Sequence, residues 1–580
     1  MLILRKAHFI GFISFLVFAN SMLAPLSARE RSKLQNANDP PESSEISSMI
    51  DRIIANEKQV EQRILGLSPR IETYIQYDRP DREVGDVATK DEYFLGRLET
   101  DSSRSNANPE IKELTFIPDG SSFNWVPRPS MLRQHLLARN FGVQALVVDY
   151  RNFDRKHYLF EPVRWEYLGD VRCLAIDVHL RGKPSKGAFE GRIWVEDHNY
   201  AIVRLNGTRV SPGRNSFYIH FDCWRQNLQP GVWLPVYMYS QEADMGMRLR
   251  FKSETRLWGY NLTVHPEQQA WTNILVEAQR PVVDSSEQKS DLSPVESVRR
   301  LTMDAERNVL DRLEKAGLVA PRGPVDKVLE TVVNNLRVTN HLDNLPPVQC
   351  RVLLTSNLES FSLAYTIVVS RGLLDVLPDE PSLAMILAHE LAHLTLGQKM
   401  DTKFAFNDRL QVSDEHLVKI LDLARDREDE DAADAKGMEF LKNSPYKDNL
   451  GQAGLFLRAA AAAAPNVPRL FGAHLGNGLT AGGALVRMAS LTNSGPQLST
   501  QNLDQIAALP MGSRVQVNAW DGTVAFTTRK AVPLADVSEK LPFRVTPIIP
   551  YLREYDETLK NEMSSAGAAG ATSPSGPSKQ

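Results

Sequence analysis

The stretch from Ser382 to Gln398, SLAMILAHELAHLTLGQ, sets the tightest limit on what this chain can fold into. Leu383, Ala384, Met385, Ile386, Leu387, Ala388, Leu391, Ala392 and Leu394 make it apolar on every side, the composition of a buried helix. Into that apolar run are set His389, Glu390 and His393. Two imidazoles and a carboxylate buried without partners are costly, so they must be paired or ligating. Residues i and i+4 share a helical face, so His389 and His393 point the same way, one turn apart. This is the H-E-x-x-H arrangement, in which two imidazoles hold zinc and the glutamate is the general base. The competing reading is a buried helix with two satisfied core histidines.

Catalytic zinc takes three protein ligands and keeps one position open. The segment ARDREDEDAADAKGMEFL offers the third. Glu430 and Asp434 fall one turn apart on one face, and Ala433 and Gly437 are small enough to let two helices approach closely. Read alone, Arg425 to Asp434 is a solvated charged face. Beside H-E-x-x-H it becomes the candidate ligand helix, expected to run from His416 to Leu441.

The two motifs together, HELAH and Glu430-Asp431-Ala432-Ala433-Asp434, resemble metallopeptidase family forty-eight, gluzincins that include the HtpX, CAAX prenyl protease and BepA-type enzymes. The upstream text IVVSRGLLDVLPDEPSLAMILAHELAHL resembles the family's strand, Gly-Leu-Leu turn and metal helix. The resemblance covers roughly Pro324 to Leu491. It implies one zinc ion per chain held by His389, His393 and Glu430, with Glu390 as catalytic base. It further implies that Asp434 holds a ligand imidazole from behind and that the strand Phe361 to Val369 is an edge that receives an extended peptide. Two departures stand out. Glu359-Ser360-Phe361-Ser362 occupies the place where members often carry Asn-Ala. His474-Leu475, followed by Arg487 at a different interval, stands where many carry His-Pro and then an arginine. His474 is the candidate second catalytic group, as a gate to the zinc or an oxyanion donor.

Around this centre the chain reads as α+β: an N-terminal antiparallel β-meander domain, then a mainly helical zincin-type metalloprotease domain with a small sheet. Arg5 and Lys6, the apolar run Ala7 to Ala19 and small residues to Ala28 read as a signal peptide over 1–28. Residues 29–110 read as linker with a short helical segment, Ile50 to Leu67, and a strand candidate, Ile71 to Tyr77. Period-two runs separated by turns place an antiparallel β domain at 111–280. Its arrangement, GRIWVEDHNYAIVRLNG included, is similar to the curved sheet of periplasmic lipoprotein-carrier proteins. The protease domain spans 294–500, a small mixed region 501–562, and a Ser-Gly-Ala-Pro tail, expected to be disordered, 563–580. Cys173 and Cys223 lie in the strand-rich region, either paired or as buried free thiols.

A net charge of −4 and pI near 6.4 give no electrostatic footprint for nucleic acid or an anionic membrane. Any membrane contact is limited to an uncleaved leader. The expected function is a zinc metalloendopeptidase exported to the periplasm or cell envelope, acting on protein or peptide substrates such as misfolded envelope proteins. The alternative is an exported chaperone-like or lipoprotein-binding protein with a latent zinc site.

Overall fold

The structure is a computed structural model that describes residues 44–81, 85–100, 109–113, 145–149, 152–182, 188–210, 219–243, 250–262, 294–398, 414–481, 484–498, 515–519 and 522–526. The expected signal peptide and the C-terminal tail lie outside the described residues.

Helix α1 (Ser44–Leu67) precedes strands β1 (Arg70–Asp81), β2 (Gly85–Thr100) and β3 (Pro109–Glu113). Strands β4 (Tyr158–Leu168), β5 (Val171–Leu180), β6 (Ala188–Glu196), β7 (Ile202–Val210), β8 (Ile219–Gln229), β9 (Val232–Ala243) and β10 (Arg250–Trp258) follow. All ten form one antiparallel sheet in the order β3-β2-β1-β10-β9-β8-β7-β6-β5-β4. The meander β4 to β10 is the expected one. What differs is its extent: β1 pairs with β10 from Arg70–Trp258 to Asp78–Arg250, so the sheet begins well before residue 111. The alternation of β1 and β2 is hidden because both of their faces are buried and polar groups are enclosed beside Ile71, Ile75 and Leu95. Glu72, Gln76, Asp78, Asp91 and Glu92 are all buried.

Helix α1 lies on this sheet through Ile50, Ile53, Ile54, Val60 and Ile64, an apolar stripe at helical spacing. Glu57 on its buried face is held by Arg225 of β8 in a two-bonded pair, both contacts 2.7 Å. Cys173 and Cys223 are buried free thiols, each pushed up to about 12 by burial. Their strands, β5 and β8, have two others between them. Three interstrand spacings make about 14 Å, beyond the reach of a disulfide.

The second half packs α2 (Pro294–Lys315) and α3 (Pro324–Thr339) against a small sheet. Strands β11 (Gln349–Leu353), β12 (Glu359–Leu363) and β13 (Thr366–Ser370) precede α4 (Arg371–Val376) and α5 (Glu380–Leu396). Next come α6 (Asp414–Ile420), α7 (Arg427–Lys442), α8 (Leu450–Ala463), α9 (Pro468–Phe471) and β14 (Asn477–Gly478). A two-stranded ribbon, β15 (Thr480–Ala481) and β16 (Ala484–Leu485), leads to α10 (Ala489–Ser494). A last hairpin, β17 (Val515–Val517) and β18 (Val524–Phe526), sits within the small C-terminal region.

The small sheet runs β11-β13-β12-β14, so β13 is interior. The strand expected from Phe361 to Val369 is therefore a hairpin, and its outer member is β12 alone. The helix expected from His416 to Leu441 is also broken. α6 stops at Ile420, residues 421–426 run without helix, and α7 restarts after Asp426, whose carboxylate accepts from the Asp429 N–H at 3.0 Å. An aspartate three residues before a free amide competes with helix continuation and favours a cap.

The halves share one core, in which Trp224, Trp233 and Trp258 of the large sheet pack with Leu318, Val319 and Leu354. Polar ties cross the same boundary. Glu72 accepts from the Ser356 N–H at 2.6 Å, and Asp91 accepts from the Arg469 and Leu470 N–H groups at 2.9 and 2.7 Å. Among the described residues no helix is long and apolar enough to cross a membrane.

Candidate metal centre

Helix α5 starts where Asp379 caps the Ser382 N–H at 2.9 Å, with Pro381 in the first turn. It ends at Gly397, whose φ of +67° is the left-handed conformation glycine adopts without strain. Between these signals nearly every residue is buried, His389, Glu390 and His393 completely. Helix α7 packs across it. A β-carbon at Gly437 would sit 3.2 Å from the Ala388 backbone and against the Met488 side chain, so the close approach favours glycine there.

That approach brings Glu430 onto the two imidazoles. His389 Nε2 lies 3.1 Å from Glu430 Oε2, His393 Nε2 lies 3.5 Å from Glu430 Oε1, and the two Nε2 atoms are 3.0 Å apart. One ligand atom from each residue falls within 4.8 Å of the others. The rings stand edge-on at 88°. Behind them, His389 Nδ1 faces Asp434 Oδ1 at 2.8 Å and His393 Nδ1 faces Gln398 Oε1 at 2.6 Å. Each Nδ1 thus carries the proton, and each Nε2 turns a lone pair inward. The donor set of two such nitrogens and a carboxylate suits zinc. Burial opposes charge on His389, but hydrogen bonds to Asp434 and Glu430 outweigh it and raise its pKa. Glu430 is held well below the usual carboxylate range: burial would raise it, and the two imidazoles and Arg487 overcome that.

Asp434 is itself positioned, since its second oxygen accepts from the Met488 N–H at 2.8 Å. Gln398 is fixed by donating to the Asp429 carbonyl at 3.2 Å. Glu390 has its own support. Its Oε1 accepts from Ser360 Oγ at 2.6 Å and lies 3.0 Å from Arg487 Nη1. Its Oε2 is buried with no hydrogen-bond partner. Burial would raise the pKa of Glu390, but Arg487 and then the two histidines hold it below the ordinary value. Arg487 also donates to the Ser360 and Asn477 carbonyls, both at 2.9 Å. Asn477 donates in turn to Glu430 Oε1.

Five of the six expected site residues therefore meet: His389, Glu390, His393, Glu430 and Asp434. His474 does not. Its N–H binds the Glu359 carboxylate, and its ring lies 6.2 Å from Tyr93 of β2. Glu359 and Ser360 are neighbours on a strand and face opposite ways, so the backbone of His474 is bound on the side of β12 away from Glu390. Burial pushes its pKa down to about 4. The cation beside Glu390 is Arg487. Ser360, Arg487, Asn477 and Gln398 carry parts of the site that sequence reasoning did not assign. Ser360 and Arg487 surfaced there only as departures from a family pattern, and Gln398 becomes visible only once the turn at Gly397 is formed.

Residues 326–500 match the model of peptidase family M48. This portion of the chain is thus of a metallopeptidase type. No curated protein matches the chain. Among solved structures it is similar to a LolA superfamily protein from Nitrosomonas europaea, at 12% identity and a TM-score of 0.20 over 38% of this chain and 95% of that one. It is also similar to a putative outer membrane lipoprotein-sorting protein domain from Vibrio parahaemolyticus, at 11% identity and a TM-score of 0.20 over 39% and 99%.

Proposed function

We propose that this metallopeptidase is a zinc endopeptidase of the cell envelope, with Glu390 as general base and unfolded or misfolded envelope proteins as substrates. The observation that carries the reading is the convergence of His389 Nε2, His393 Nε2 and Glu430 beside a carboxylate with one oxygen unpartnered. His389, His393 and Glu430 hold the metal, and Asp434 and Gln398 fix the imidazoles. A zinc ion there supplies a lowered water pKa and a polarised scissile carbonyl.

The chain's own groups do the rest. Ser360 and Arg487 anchor Glu390 Oε1, which leaves Oε2 to take the proton of the attacking water and hand it to the leaving amine. β12 offers its outer edge to an extended substrate backbone. Export is supported by the basic-apolar-small pattern of residues 1–28.

Zinc analysis and a casein assay on the full chain test the proposal. Activity lost to a chelator and restored by zinc supports it, together with a Glu390→Gln variant that keeps its metal but cleaves about 10²–10⁴-fold more slowly. A Glu390→Gln protein that cuts casein at the unmodified rate rejects the assignment. Metal binding with no cleavage at all favours a chaperone-like or lipoprotein-binding role.

A further inference from the structure

Strand β12 turns into β13 through Ala364-Tyr365, with φ of +46° and +59°. Positive φ at both central residues is the type I′ geometry of tight hairpins. In such a hairpin the flanking pair, Leu363 and Thr366, exchanges both backbone hydrogen bonds, and bonded and non-bonded pairs then alternate. Ser362–Ile367 and Ser360–Val369 are thus the non-bonded pairs. The N–H and C=O groups of Ser360 and Ser362 point outward, away from β13. β14 pairs only with Glu359 and Ser360. Ser362 is the first outward-facing residue beyond it, where an added strand would begin to pair.

Side chains fill that edge. Arg425 Nη2 donates to the Ser362 carbonyl at 3.1 Å. One step along, the Ala364 N–H donates to Glu306 Oε2 at 2.6 Å. One step back, the Ser360 carbonyl accepts from Arg487. Arg487 belongs to the site already described. Arg425 does not. It sits in the non-helical segment 421–426, and its Nε and Nη1 are buried without hydrogen-bond partners. Two of its nitrogens make no hydrogen bond, which costs free energy, while the carboxylates of Glu390, Glu430 and Glu306 attract its charge.

We propose that Arg425 is a removable plug on the peptide-binding edge, taking the Ser362 carbonyl that a backbone N–H of an extended polypeptide would otherwise take. The inference rests on the endopeptidase reading and goes beyond it by setting what the edge admits. An extended chain brings both an N–H and a C=O to Ser362, replacing one hydrogen bond with two, and returns the guanidinium to solvent. A segment whose backbone is already paired within a helix or the interior of a sheet cannot displace the plug. The partner is thus the main chain of an unfolded polypeptide, recognised without regard to side-chain sequence.

Binding tests this apart from cleavage. In the zinc-loaded full chain carrying Glu390→Gln, fluorescein-labelled reduced and carboxymethylated lactalbumin is followed by anisotropy, with Arg425 retained or changed to Ala. Loss of the plug is expected to tighten binding about fivefold or more, and with Glu390 restored to lower KM by more than it changes kcat. Weaker binding overturns the proposal, because Arg425 would then hold substrate. Unchanged binding overturns it too. Should Arg425→Ala lose its thermal transition, Arg425→Lys carries the same comparison, with a smaller gain expected. An unmodified chain that binds zinc but never cleaves would sink the endopeptidase reading, and the anisotropy result would still decide the plug.

Discussion

At the scale of single residues, the candidate centre is defined by what stands behind the two imidazoles. An imidazole offers either nitrogen, and the choice is made by Asp434 at 2.8 Å and Gln398 at 2.6 Å. Replacing either acceptor by alanine leaves the histidine in place but frees its ring. Asp434→Ala and Gln398→Ala are each expected to weaken zinc about 10–100-fold, measured by competition with a chromophoric chelator. Glu430→Ala should lose zinc on dialysis; retained stoichiometric metal would take Glu430 out of the ligand set. His389, Glu390 and His393 were legible in the sequence because three polar groups on an apolar helix must find partners or a metal ion once buried. Gln398 was not, because its role depends on a glycine turn that folds it back onto its own helix.

At the scale of elements, two helices must touch. The α5–α7 contact is made by Ala433, fully buried, and by Gly437 over the Ala388 backbone. Gly437→Val is expected to destabilise the fold by about 1–3 kcal/mol through overpacking. Because the same shift moves Glu430, zinc affinity should fall with it. A urea midpoint and a zinc titration on one preparation check both, and an unchanged midpoint would remove the close-packing argument. The helix expected to run unbroken from His416 shows how local and tertiary signals conflict. Its charge pattern permits a continuous helix, but Asp426 caps a new one, and the break carries Arg425 to β12. The hairpin at Ala364-Tyr365 was missed for a related reason: neither residue is Gly, Asn or Asp, the usual markers of such a turn.

At the scale of the molecule, carboxylates of both sheets hold the loops that frame the small one. Asp91 of β2 caps the start of α9, and Glu359 of β12 holds the N–H groups of His474 and Leu475. Burial, the largest influence on each, raises Asp91 to about 6 and Glu359 to about 7. A carboxyl whose folded pKa is raised favours the folded state while protonated. That contribution is full below its unfolded pKa and lost as pH rises through the folded value. For Glu359 the window runs from the ordinary 4.5 to about 7. Glu359→Gln cannot ionise, so its stability should change less with pH across that window, as read by thermal melts at stepped pH. Equal slopes in both proteins would show that Glu359 does not report on folding there.

The sequence by itself determined the apolar helix that carries His389, Glu390 and His393, the motif pair, the antiparallel meander and the order of the halves. These rest on local chemistry: periodicity, caps, and polar groups that an apolar helix cannot leave unpaired. Tertiary structure alone decided that β1 and β2 join the large sheet, that Arg487 rather than His474 stands beside Glu390, and that side chains bond to the edge of β12. Those outcomes depend on which distant surfaces meet. A charged side chain reads the same in sequence whether it ends in water or against a backbone carbonyl.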